Sequence, residues 1–247
     1  EAVHERVADR AAHGPAQQPA LDLVRVGARV GLPQDGGGAG GDRGGERGAR
    51  ADEVGGPDPA GRVEQVAGLV REAVDRFGAI DICIANAGGP PSKTFAETTD
   101  QDWRAAAELN LLSTVAMAKE VLPGMQQRRW GRFIAITSVT VKQPVEGLIL
   151  SNSVRSAVSG LIKSLANEYG PYNVLVNNVC PGYTATARLE SLSAKLAASE
   201  SVPVEKIKER WASQAALRRL GQPEEFANLV VFLASERASY ITGVTIA

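Results

Sequence analysis

Three short stretches of this sequence hold the groups best suited to chemistry. They are Asn86-Ala87-Gly88-Gly89, the hydroxyl-bearing segment that opens with Ser138 and closes with Thr140, and Pro181-Gly182-Tyr183-Thr184-Ala185-Thr186. Each follows a short apolar run, and glycine in two of them lets backbone approach a ligand with no Cβ in the way. Read alone, an Asn-Ala-Gly after a strand is equally a plain turn, and a serine at a strand end is equally a cap or a solvated hydroxyl. Both histidines, His4 and His13, lie near the start of the chain. The patterned region beyond them can therefore build no Ser-His-Asp triad, no His-Cys zinc site and no histidine base. Of the two cysteines, Cys83 falls inside an apolar run and is expected to be a small core residue; Cys180 precedes the loop proline and is expected to be a partly exposed thiol.

The elements that must position these groups alternate in period. Residues 63–76 repeat apolar positions at helical spacing and close at Gly78, and residues 80–85 form a buried strand. A long helical pattern spans 100–127, with a break expected near Pro123, and a second strand covers 132–137. Residues 152–169 are helical and stop at Gly170-Pro171; residues 174–179 form a third strand. Helical stretches at 188–199, 203–216 and 223–235 lead to a last strand that begins near Gly243. Strands alternating with helices predict βαβ units, hence an α/β fold: a Rossmann-like, doubly wound parallel sheet. Ligands of such sheets lie beyond the carboxyl ends of the strands, where the three stretches fall.

These stretches, in this order, resemble the short-chain dehydrogenase/reductase family, and most of all its 3-oxoacyl-carrier-protein-reductase-like branch. The resemblance rests on Asn86-Ala87-Gly88, Asn110 in ELNLLST, Ser138 in FIAITSV, the 181–186 loop, Arg219-Leu220-Gly221-Gln222-Pro223-Glu224-Glu225 and Tyr240-Ile241-Thr242-Gly243, and it covers residues 63–247. It implies NAD or NADP as cofactor, and redox of a carbonyl or alcohol on a small or acyl-type substrate. Asn86, Ala87 and Gly88 would pack at the adenine-ribose side. Pro181, Gly182, Thr184 and Thr186 would meet the nicotinamide carboxamide. Ser138 would bond the substrate oxygen and Asn110 would hold a water in the proton path. Residues 188–216 would form a lid, whose Leu189, Leu192, Leu196 and Trp211 suggest an apolar ligand. Homodimers or homotetramers are the family habit, with the long helices at 100–127 and 152–169 as their surfaces.

Two departures cut across this resemblance. The family's Tyr-x-x-x-Lys pair falls on Ser151 and Arg155, and the chain has no tyrosine before Tyr169. A phenol, with a pKa of about 10, can be brought toward neutrality by a nearby cation. A serine hydroxyl is far less acidic, and an arginine releases no proton at ordinary pH. Ser151 and Arg155 are therefore candidates for polarising a carbonyl and for donating to ribose hydroxyls, with water as the proton source and Tyr183 as a speculative substitute acid. The second departure is the cofactor cradle: no T-G-x-x-x-G-x-G turn between a strand and a helix occurs in residues 1–62.

That segment is unusual throughout. Residues 1–62 draw on ten residue types only, and the ten missing types supply 66 of the 171 residues from Phe77 to Ala247. The ten types present are those with codons beginning in G or C, as a GC-rich gene read out of frame would yield. We read residues 1–62 as an out-of-frame translation, joined to the domain at 63–247; a natural low-complexity tail is the alternative. On the out-of-frame reading the chain as written lacks its cradle, folds poorly and is inactive. A third reading makes it a non-catalytic dinucleotide-binding or assembly protein. The 27 basic and 28 acidic residues leave a net charge of −1, which argues against a nucleic-acid or anionic-membrane partner. No apolar run reaches the length of a membrane span, and a cytoplasmic location is expected.

Overall fold

A computed structural model describes residues 59–247. All but the last four positions of the out-of-frame reading therefore lie outside the described residues. In chain order the elements are α1 (Pro59–Phe77), β1 (Ile82–Asn86), α2 (Asp100–Ala106), α3 (Ser113–Arg128), β2 (Gly131–Ile136), α4 (Ile149–Tyr169), β3 (Val174–Val179), α5 (Ala187–Glu200), α6 (Val204–Gln214), α7 (Pro223–Ala234) and β4 (Thr245–Ile246). The strands pair in parallel in the order β1-β2-β3-β4. Successive side chains point to opposite faces and both faces are covered, so β1, β2 and β3 are mostly apolar along their length. Cys83, Ala85, Phe133, Ala135, Val174 and Val176 pack with α1, α3 and α4, whereas Ile82, Ile134, Ile136 and Val179 pack on the other face with α7 through Val230, Leu233 and Ala234. The sheet is covered on both sides, as a doubly wound fold requires.

The helix boundaries follow from local chemistry. Gly78, at φ +81°, closes α1 through an N–H bond to Val74 O at 2.7 Å, as the sequence predicts. α1 begins at Pro59, four residues ahead of the expected start. Pro123 does not break α3, contrary to expectation. Lys119, whose carbonyl the missing N–H would have met, is exposed, a position where a helix tolerates the lost bond. The interruption lies instead at Ala107–Leu112, a wider π turn between α2 and α3. Hydroxyls answer two of its carbonyls: Ser113 Oγ donates to Leu109 O at 2.6 Å and Thr114 Oγ1 to Asn110 O at 2.7 Å.

Two capping carboxylates make the fold acid-sensitive. Lys93 Nζ, 2.7 Å away, and then the Thr99 N–H hold the Asp102 carboxyl down at about 2. Arg219 and then the Gln222 N–H hold Glu225, at the start of α7, at about 2 as well. An unfolded carboxyl titrates near 4, so this stabilisation is complete above that value and is lost as the pH falls from there toward 2. Thermal melts between pH 5 and 2 should show that decline, and D102N and E225Q should each flatten it.

Candidate functional site

The exits of β1, β2 and β3 converge, and hydrogen bonds beyond the last ladder pairs hold them together. Asn86 pairs with Ile136 at the end of the β1–β2 register. After that pair, the carbonyls of Ala87 and Gly88 on one side and of Ile136 and Thr137 on the other meet a single guanidinium. Arg155 Nη1 donates to Ile136 O (3.2 Å) and Thr137 O (2.9 Å), and Nη2 to Ala87 O (3.2 Å) and Gly88 O (2.8 Å). Arg155 is only 6% exposed. From the π turn, Asn110 Nδ2 also donates to Gly88 O at 2.8 Å; its Oδ1 is buried without a hydrogen-bond partner.

Ser138 follows in an extended conformation, half-buried, and its Oγ accepts from Thr140 N at 3.2 Å to cap a single 3-10 turn, Val139–Val141. Thr140 Oγ1 lies 3.5 Å from Ser151 Oγ, in the first turn of α4. Ser151 and Arg155, four residues apart, share one helix face. Val139 N donates to Pro181 O at 2.9 Å, joining the β2 exit to the loop after β3. In that loop, Thr184 pairs with Gly221 and Thr186 caps α5 by accepting from Leu189 N at 3.4 Å. Gly182 is exposed, and a Cβ built on it would meet open space. An open cleft of about 300 Å³ lies beside the first turn of α4, between Phe95 and Val145 and bordered by Asn152.

Three expectations are corrected here. Cys180 is buried, at 2% exposure, because β4 covers it: its N–H donates to Ile246 O at 2.7 Å, and Thr137 Oγ1 lies 3.2 Å from its sulfur. Burial pushes its thiol pKa up, and pushes that of Cys83 to about 12. Tyr183 stacks on Trp211 with ring centroids 5.4 Å apart and donates to Gln214 Oε1 at 3.1 Å. Burial raises its pKa, the wrong direction for a general acid. Leu189, Leu192, Leu196 and Trp211 pack around Ala197 and Ile207, so they make the core of the α5–α6 hairpin rather than a wall awaiting ligand.

The sequence reading also missed a buried polar chain behind the site. Thr137 Oγ1 donates to Asn178 Oδ1 at 2.8 Å, and Asn178 Nδ2 donates to Ser159 Oγ at 2.9 Å. The signal was present, since Asn177-Asn178 interrupts the apolar run VLVNNV, and a polar pair inside a buried strand demands partners.

A family model described as "Enoyl-(Acyl carrier protein) reductase" matches residues 49–247. The 3-oxoacyl-[acyl-carrier-protein] reductase FabG of Aquifex aeolicus is 37% identical over 183 residues, 74% of this chain and 69% of that protein. A putative ketoacyl reductase of the monensin polyketide synthase from Streptomyces virginiae is 36% identical over 72% of this chain and 69% of its own length. Among solved structures, the L-sorbose reductase of Gluconobacter frateurii, complexed with NADPH and L-sorbose, superposes with a TM-score of 0.70 at 31% identity, over 74% of this chain and 70% of that one. Parallel β-sheet order, loop placement and these relatives agree: the chain belongs to the short-chain dehydrogenase/reductase family and resembles its 3-oxoacyl-carrier-protein reductases.

Proposed function

We propose that the intact parent of this chain serves NAD(P)-linked interconversion of a carbonyl and an alcohol on a small or acyl-type substrate. The observation that carries the reading is the gathering of the Ser138, Thr140 and Ser151 hydroxyls at the β2 exit, beside the 181–186 loop and above the buried charge of Arg155. The nicotinamide, when bound, supplies or accepts a hydride. The open backbone at Gly182 and the Thr184 hydroxyl suit its carboxamide, and the Asn86-Ala87-Gly88 turn suits the ribose side. Only this half of a dinucleotide site fits: Thr-Gly occurs once in the chain, at Thr242-Gly243, so no T-G-x-x-x-G-x-G turn is available for the pyrophosphate.

On this reading Ser138 and Ser151 donate hydrogen bonds to the substrate oxygen and polarise its carbonyl. Neither serine releases a proton near neutrality, so water supplies it, and the unpartnered Asn110 Oδ1 is an acceptor suited to holding that water. Turnover is accordingly slow. The partners are a small-molecule substrate, the cofactor and further copies of the chain, in the cytoplasm. Titration with NADH and NADPH, followed by nucleotide fluorescence and then by consumption with a 3-oxoacyl thioester, tests this. Binding with slow turnover supports it. Binding without turnover favours a non-catalytic or assembly role, which the serine and arginine at the family's Tyr-x-x-x-Lys positions already support. A cooperatively melting chain that binds neither nucleotide refutes the redox reading and leaves the assembly role.

A further inference from the structure

We infer that Arg155 is a positioning residue which staples the exits of β1 and β2 through their backbone carbonyls. Its two terminal nitrogens divide between the strands: Nη1 serves Ile136 and Thr137 on β2, and Nη2 serves Ala87 and Gly88 after β1. Four carbonyl oxygens converge where the ladder ends, and their like dipoles repel without a cation between them. A planar guanidinium meets this arrangement because its donors diverge in a fixed fork. An ammonium offers only three donors from a single nitrogen, fewer than the four carbonyls gathered here. The staple is braced on either side. Asn110 Nδ2 shares the Gly88 carbonyl with Arg155, and Thr137, whose carbonyl Arg155 takes, sends its hydroxyl into the Asn178–Ser159 chain. Ser138 is the next residue along from Thr137, so the staple sets where its hydroxyl stands.

The consequence for catalysis rests on the proposed function; the staple itself does not, so it is read without turnover. The carbonyl ¹³C resonances of Ala87, Gly88, Ile136 and Thr137 in the full, isotopically labelled chain are compared with those of R155K, with Val176 in mid-β3 as internal control. Movement of the four with Val176 unmoved supports the staple; folded R155K in which the four stay in place, or move no more than Val176, overturns it. Arg155→Ala covers the case of a variant that unfolds. Guanidinium ion at tens of millimolar should restore its melting temperature and methylammonium at the same concentration should not; equal rescue by both, or rescue by neither, overturns the inference. Should the parent turn over substrate, Arg155→Ala lowers kcat more than it changes KM, and guanidinium recovers kcat. A merely structural loss would lower active fraction and leave the KM-to-kcat relation and cation selectivity unmoved.

Discussion

The double variant S151Y/R155K turns substrate over about 10²–10⁴-fold faster than the parent chain, the range that a positioned general acid contributes. S151Y alone gains little. The reason is electrostatic. A phenol needs a cation close beside it, best one that donates to its oxygen, to bring its pKa of about 10 toward neutrality. The Arg155 guanidinium is held by the carbonyls of Ile136, Thr137, Ala87 and Gly88, so its terminal donors are already engaged and do not turn toward a new phenol. A lysine at 155 has a flexible stem and a single ammonium free to approach the new phenol. The same change loosens the strand exits, so the double variant melts at a lower temperature while it turns over faster. Steady-state kinetics against pH provide the check: an ionisation near neutrality is expected in the double variant alone. Equal gains in the single and double variants would refute the argument.

Phe133→Ala costs about 3–5 kcal/mol of folding stability, the range for a large aromatic truncated in a packed core. Phe133 is fully buried on β2, in the cluster that joins the sheet to α1, α3 and α4. Its strand has no exposed position, and nearby Gly131 is packed so closely that a Cβ there would lie 2.6 Å from Met125. The surroundings therefore have little room to collapse into the cavity. At this size the loss amounts to a melting shift of roughly 6–20 °C. Denaturant and thermal melts measure it, and a loss below about 1 kcal/mol would show that the side chain is not packed as described.

Much of this molecule was legible from residue order. The helix that ends at Gly78, the strand at 174–179 and the helix that opens at Pro223 follow from periodicity and capping, which are local properties. So does the placement of Asn86-Ala87-Gly88, Ser138 and the 181–186 loop at one edge of the sheet, because parallel strands must all point the same way. The misreadings share a cause. Pro123 signals a break by its chemistry, yet whether the orphaned carbonyl finds water depends on which face of α3 is exposed. Cys180 stands before a proline in a loop, yet the β4 backbone, more than sixty residues on, buries it. The leucines of α5 have a ligand-facing pattern, yet α6 folds back to cover them.

Arg155 marks the boundary between the two kinds of knowledge. Its identity, and the absence of a tyrosine four residues before it, belong to the sequence and already set the limits on proton transfer. The order of the elements, the sheet class and the edge that holds the site were likewise determined by local pattern. Which groups a buried guanidinium touches was decided only when α4 packed against β3, bringing carbonyls from residues 87, 88, 136 and 137 at the exits of β1 and β2 within reach of one side chain. Hydrogen-bond partners far apart in sequence are products of packing, since no local propensity can specify the distance between two strand ends.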